Sequence, residues 1–382
     1  MDFDLNDEQR QLKDSIERLL ADSYGDLAER QAYQKEPKGY SARLWQQYAD
    51  LGLLAVPFAE AHGGLGQGLT ETMIIAEAFG GALSIDPYLA TVVLAGGALR
   101  HAGNDALLAE LVPAIAEGRL TLALAHQEKQ ARYDLADTAT TARADGKSGY
   151  TLEGEKCVVL HGDSADKLIV AARISGSRAE RSGIGLFLVD ASANGVTRRG
   201  YATQDGMRAA DVTLSSVRVG ADAVLAGPDK GLAVLERAVD EAIAALAAEA
   251  VGAMAALHAL TVDYLKTRKQ FGVPIGSFQV LQHKSVDMFV ALEQARSMAL
   301  YATMMAGEPD ASERRRAIST AKVQIGRSAR LVGETAIQLH GGIGMTMEYK
   351  AGHYFKRLTM IDMAYGDADH HLRLLARAGG ST

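Results

Sequence analysis

The chain turns on residues 264–288, YLKTRKQFGVPIGSFQVLQHKSVDM. Upstream of it, Leu232 to Arg268 is rich in Ala and Leu and free of Pro, the pattern of one long helix. At Gly272-Val273-Pro274 the helix must stop, because Gly opens a turn and Pro removes a backbone donor. A second helix is expected from about Phe278, with Gln279, Gln282 and His283 in its first turns. The elbow between them displays Arg268, Lys269, Gln270 and Phe271. A guanidinium offers a fixed fork of donors that suits phosphate oxygens, and a helix N-terminus favours anions. A phosphate-bearing cofactor at this elbow is one reading. On spacing alone, a helical hairpin with a solvated basic corner is the simpler one.

The string Arg268-x-Gln270-Phe271-Gly-x-Pro-Ile-x-x-Phe-Gln279-x-x-Gln282 resembles the signature of the acyl-CoA dehydrogenase flavoprotein family. The resemblance implies that this elbow grips the pyrophosphate and adenosine end of FAD held largely by a neighbouring subunit. Gln338-Leu-His-Gly-Gly-Ile-Gly-Met345 resembles the family's Gln-x-x-Gly-Gly-x-Gly segment. That likeness adds Gln338, Gly341 and Gly342 to Arg268, Gln270, Phe271 and Gln279 as FAD contacts, with Gly letting backbone approach phosphate.

The rest of the chain fits the α+β multidomain order this family implies. Residues 1–118 read as an N-terminal helical domain: Asn6 and Gln9 form a capping box ahead of the stripe Leu12, Ile16, Leu19 and Leu20. Further helices are expected over 45–54, 69–82, 86–102 and 104–117. The glycine cluster Glu60–Gly68 lacks the preceding strand and Lys-Ser/Thr of a P-loop, and it resembles a structural loop of the family. Residues 119–225 alternate in short β-rich runs: Leu120–Ala125, Thr138–Ala142, Tyr150–Glu153, Cys157–Leu160, Leu168–Ala171, Ile184–Val189 and Val212–Val219. Turns at Asp145-Gly146, Glu153-Gly154 and Ser182-Gly183 separate them, which predicts a central β-barrel or sandwich. Residues 226–382 return to helices over 231–267, 278–307, 312–340 and 365–377, with Ser312 as an N-cap, and predict a C-terminal four-helix bundle.

Composition sets limits. A net charge of -7 over 382 residues supplies no basic face, which argues against nucleic acid. Cys157 stands alone, so there is neither a disulfide framework nor a cysteine metal site, and a cytoplasmic location is expected. The longest apolar run, Tyr88 to Leu99, is too short for a membrane span.

The family reaction is α,β-dehydrogenation of an acyl-CoA, in fatty acid metabolism and β-oxidation, with a carboxylate base taking the α-proton. Here the pattern departs. Where relatives carry Glu in Tyr-Glu-Gly-Thr, gapless counting gives Tyr365, and a one-residue slip gives Gly366. Asp367 and Asp369 are the nearest acids, but the family pattern directs them to the adenosine side. The alternative base position on the long helix is Ala242, and Glu241 beside it is turned by about 100° and reads as a solvated or packing-edge carboxylate. Tyr is a poor base near neutrality. His370 and His371 read as a solvated helix end, and no metal is assigned. In the central domain the Thr-Glu-Pro-x-x-Gly-Ser-Asp of relatives is replaced by Gln127-Glu-Lys-Gln-Ala-Arg-Tyr-Asp134, and Val158 stands at a Trp position, so no flavin-ring contact and no catalytic residue is assigned.

Three functions follow from the resemblance: an FAD-dependent acyl-CoA dehydrogenase subunit, a non-catalytic FAD-binding partner in a heteromer, or a flavin monooxygenase on the same fold. The tail His353–His371 looks like that of the pimeloyl-CoA dehydrogenase small subunit type. A homo- or hetero-oligomer, a dimer of dimers, is expected, with acyl-CoA as substrate and an electron-transfer flavoprotein-like acceptor.

Overall fold

The change from helical to alternating periodicity is realised in a computed structural model describing residues 5–146 and 149–379. The N-terminal helices are α1 (Asp7–Tyr24), α2 (Leu27–Gln34), α3 (Ala42–Asp50), α4 (Leu69–Ala82), α5 (Gly96–Ala102) and α6 (Asp105–Ala116). The Asn6–Gln9 capping box closes the start of α1 through reciprocal hydrogen bonds of 2.8 and 3.0 Å. Helix α2 was not foreseen, and the segment read as one helix over 86–102 is a π-helical stretch, Leu89–Ala95, running into α5. The Glu60–Gly68 loop closes on itself: the amides of Gly64 and Gly66 bond Ala59 and Phe58 carbonyls, leaving these donors spent locally.

The central strands are β1 (Leu122–Ala125), β2 (Thr141–Ala144), β3 (Gly149–Leu160), β4 (Lys167–Arg173), β5 (Ile184–Asp190), β6 (Val196–Ala202), β7 (Arg208–Gly220) and β8 (Val224–Ala226). They form one sheet in the order β6-β7-β3-β2-β4-β5-β8, with β1 also paired to β4. The inward positions of this sheet, among them Leu152, Leu168, Phe187, Val212 and Leu214, make its core. Two expectations need correction. Glu153-Gly154 is no turn: 150–153 and 157–160 belong to the single strand β3, whose irregularities fall at Gly154 and at Cys157-Val158. Strand β6 was missed because its alternation carries Arg198 and Arg199 rather than apolar residues.

The C-terminal helices are α7 (Gly231–Thr267), α8 (Gln279–Ala306), α9 (Ala311–His340), α10 (Lys350–Met363) and α11 (Ala368–Gly379). The helical, sheet, helical order expected from the sequence is the order observed. Helix α9 is capped by Asp310, which accepts from the amides of Ser312 and Glu313, so Ser312 is not the cap. Helix α11 starts at Ala368, three residues later than expected, because Tyr365 and Gly366 adopt positive φ. Helix α7 is long and apolar enough to cross a membrane, but 72% of its most apolar window is buried inside the protein, as in a core helix.

The chain forms two compact units. One comprises Met1–Ala32, Leu69–Ser84 and Ile243–Thr382; the other comprises Tyr33–Gly68 and Ile85–Ala242. In the first, Arg357 on α10 grips Glu249 on α7 with two hydrogen bonds of 2.6 and 2.8 Å, both side chains buried. Gly80 and Gly252 let α4 and α7 meet backbone to backbone, since a Cβ on either would lie within 2 Å of a carbonyl oxygen of the other helix.

Candidate cofactor elbow and reaction turn

All seven residues expected at the cofactor lie in the first unit. After α7 ends, Lys269–Gln270 pairs antiparallel with Val273–Pro274 in a minimal hairpin. Phe271 and Gly272 form its tip at φ of 55° and 81°. Phe271 is 92% exposed, with its ring edge to face with that of Phe278 at 6.1 Å. The Arg268 carbonyl accepts from Ile275 N–H at 2.8 Å, which fixes the elbow while leaving the guanidinium at the surface. Gln279 opens α8, and it too is exposed.

Gln338 lies on the last turn of α9, exposed, and Gly341 and Gly342 follow at its end. A Cβ at either glycine would meet nothing within 4 Å, so the space before this backbone is open to a ligand. The elbow and this segment share one corner through a ring cluster that sequence reasoning missed. Tyr264, one turn before Arg268, lies 4.7 Å from His340, and His340 lies 5.1 Å from Tyr349. These rings are spread over more than eighty residues and belong to no contiguous pattern. His340 is buried, its Nδ1–H donating to the Ala336 carbonyl at 2.8 Å, and burial pulls its pKa down, so it is neutral.

Among the described residues, none of the five side chains of this set hydrogen-bonds another of them. Gln270 donates only to its neighbour's carbonyl. Arg268, Gln279 and Gln338 present their donors outward on the surface of the unit. A bidentate cation, three amides and an approachable glycine backbone are the donor chemistry a dinucleotide pyrophosphate needs, so these residues fit FAD.

The candidate reaction turn, residues 361–371, which the resemblance aligns with the family's base position, is built the opposite way. Burial pushes the Tyr365 hydroxyl well above its usual range, which removes it as a base at neutral pH. His371, expected at a solvated end, is buried instead. Its Nε2–H donates to the Tyr365 carbonyl at 3.1 Å, and its Nδ1 accepts from the Ser319 hydroxyl at 3.1 Å. Burial and the Lys322 charge pull its pKa down to about 3, so it stays neutral.

Glu241, in the second unit, is likewise not the solvated carboxylate expected. It is 4% exposed and held by Arg100 Nη2 and His101 Nε2, each at 2.7 Å. Burial alone would raise its pKa, but the His101 and Arg100 hydrogen bonds hold it below the usual range. This is a buried ion pair whose lowered pKa makes the carboxylate a weaker base than a free one. Beside it, Ala242 is fully buried. Among the described residues, no three His, Cys, Asp or Glu side chains gather as a metal site.

The divergent loop of the central sheet is rebuilt around another buried pair. Glu128 accepts from Lys156 Nζ at 2.6 Å and from the amides of Ala139 and Thr140 at 2.8 and 3.0 Å. Burial opposes its charge, but Lys156 pulls its pKa down to about 2. Nearby, Val158 sits at φ 51°, an outlier for a β-branched residue, where β3 bulges.

Three family models cover the chain: "Acyl-CoA dehydrogenase, N-terminal domain" over residues 6–119, "middle domain" over 123–217 and "C-terminal domain" over 229–380. Acyl-CoA dehydrogenase FadE12 of Mycobacterium tuberculosis is 30% identical over 315 residues, covering 81% of this chain and 80% of that one. The ChsE4-ChsE5 complex from Mycobacterium tuberculosis superposes with a TM-score of 0.88 at 25% identity, over 100% of each chain. A structure titled "FAD complex of PigA" superposes with a TM-score of 0.89 at 25% identity, over 100% of this chain and 99% of that one. With the elbow signature in place and relatives matching most of its length, the chain belongs to the acyl-CoA dehydrogenase family.

Proposed function

We propose that this chain is an FAD-binding subunit of an acyl-CoA dehydrogenase, acting in α,β-dehydrogenation of an acyl-CoA thioester and passing electrons to an electron-transfer flavoprotein-like acceptor. The observation that carries this reading is the elbow, where Arg268, Gln279 and Gln338 hold their donors outward with no partner among one another. FAD would supply the hydride acceptor when bound. Arg268 would clamp a phosphate in a fixed orientation, Gln270, Gln279 and Gln338 would donate to the nucleotide's polar edge, and Gly341 and Gly342 would admit it closely to backbone. Phe271 and Val280 at the elbow, Met345 in the glycine segment, and Val286 and Phe289 further along α8 are exposed, which supports an oligomer that covers them. A cytoplasmic location and a three-part division at 118/119 and 225/226 belong to the same proposal.

One observation favours a narrower role. Tyr365 and Gly366 offer no carboxylate, and Glu241 is committed to Arg100 and His101. A heteromer in which another subunit supplies the base accommodates this, and the ChsE4-ChsE5 structure is itself titled as a complex of two proteins.

The deciding experiment is single-turnover bleaching of bound flavin by a panel of acyl-CoAs with the chain alone. Bleaching makes it a complete dehydrogenase. Bound FAD that bleaches only after a second, base-containing family member is added makes it a partner subunit. Oxygen consumption by the reduced flavin without acyl-CoA oxidation would redirect the reading to a monooxygenase.

A further inference from the structure

Lys322 lies in the middle of α9 and is 1% exposed. Long ammonium side chains are rarely buried so fully without compensation. Its Nζ donates to three carbonyls, those of Ile361, Asp362 and Gly366, at 2.8, 2.7 and 2.9 Å. Three N–H donors thus meet three acceptors. Two of these carbonyls belong to the last turn of α10, where the helix leaves them without internal partners and its dipole favours a cation. The third belongs to Gly366 itself.

The surroundings make the fit specific. Gly326, one turn further along α9, admits Asp362: a Cβ there would lie 2.1 Å from the Asp362 carboxylate. Asp362 Oδ1 accepts from Ala368 N–H at 3.3 Å, and Asp367 Oδ1 caps α11 by accepting from His370 N–H at 2.7 Å. The charged and titratable groups around the ammonium are Asp362 and Asp367, with His370 and His371 of α11 beyond them. Burial lowers the Lys322 pKa to about 8, so the group is still protonated near neutrality.

We propose that Lys322 is the positioning residue of this turn: its ammonium acts as a built-in cation that holds Tyr365 and Gly366 in their left-handed conformations, at the place where the family's reaction puts its base. The functional consequence rests on the dehydrogenase reading; the clamp itself does not.

The test is amide hydrogen exchange of the segment 361–371 in the full chain. In Lys322→Met, which keeps the length and loses the donors, exchange there should accelerate about tenfold or more, as expected for losing charge-assisted bonds that hold a local segment closed. In Lys322→Ala the same acceleration should be reversed by n-propylammonium chloride and not by sodium chloride of equal ionic strength. A packing role would not respond to the amine. Wild-type exchange in Lys322→Met, or no response of Lys322→Ala to the amine, overturns the proposal. If Lys322→Met does not fold, the refolding yield of Lys322→Ala with and without propylammonium decides: a higher yield with the amine supports the clamp, and equal yields reject it. Flavin bleaching by acyl-CoA is followed in parallel. Its absence in every form, wild type included and with a base-containing family member added, sinks the dehydrogenase reading while the exchange data still judge the clamp.

Discussion

Phe271-Gly272 and Tyr365-Gly366 are the same device in two settings. Each is an aromatic residue at φ near 55° followed by glycine at positive φ, 81° in the first pair and 113° in the second. At the elbow the tip stands in open space, and a Cβ on Gly272 would touch nothing within 4 Å. At the reaction turn a Cβ on Gly366 would lie 2.5 Å from His370 Cδ2 and 2.8 Å from His371 Nε2. A turn of positive φ is therefore left in open space in one place and packed from inside in the other. An exposed, self-supporting hairpin with outward donors suits a ligand or a partner. A turn whose Ile361, Asp362, Tyr365 and Gly366 carbonyls are bound by Lys322 and His371 suits a fixed wall.

The largest expected effect is acid lability of the turn. His371 has a folded pKa of about 3 against 6.5 for the free group. Between those values the unfolded chain binds the proton and the folded chain does not. Stability from this residue is complete above about pH 6.5 and is lost as pH falls towards 3, up to roughly 4–5 kcal/mol at the linkage limit. Urea midpoints measured from pH 7 to pH 3.5 should fall more steeply in wild type than in His371→Gln. Equal slopes would show that the turn is not closed on a neutral imidazole.

Next comes Gly366→Ala, expected to cost ~3 kcal/mol or more, because the positive φ and the two close histidines act together. Thermal unfolding reads it directly, and a change below about 1 kcal/mol would mean the turn is as open as the elbow.

Arg268→Ala should act in the opposite way. Folding stability of the apo chain should stay within about 0.5 kcal/mol, since the side chain is at the surface and bonded to none of the other cofactor residues. FAD affinity should fall by roughly 10- to 150-fold, the equivalent of one charge-assisted contact of about 1.5–3 kcal/mol. Titration of apoprotein with FAD measures it. Unchanged affinity would return the elbow to a solvated basic corner.

The two settings also explain what could be read in advance. The elbow is legible because Arg268, Gln270, Phe271 and Gln279 lie within twelve residues and their chemistry needs no distant partner. The helical, sheet, helical order is legible for a similar reason, since periodicity is local. The turn is not legible. Its donors, Ser319 and Lys322, come from α9, some forty residues away, and in sequence Lys322 looks like any helical lysine. Glu241 was misjudged likewise: its burial depends on Arg100 and His101, which no spacing rule connects to it. Strand β3 was split in two because Gly154, a turn signal by composition, is used as an irregularity within a strand.

Gly272→Ala is the smallest effect and the sharpest control on the comparison. The substituted Cβ meets no atom, so the cost should be only that of an L-residue in the left-handed region, about 1 kcal/mol. Phe271 beside it already adopts that region without being glycine, which shows that the hairpin tolerates a side chain there. Set against Gly366→Ala, the pair compares an open turn with a closed one: the difference in unfolding free energy is the contribution of the His370 and His371 contacts together with the wider φ of Gly366, 113° against 81°. If both alanine variants lose the same stability, those contacts contribute nothing. The reaction turn would then be no more rigid than the elbow.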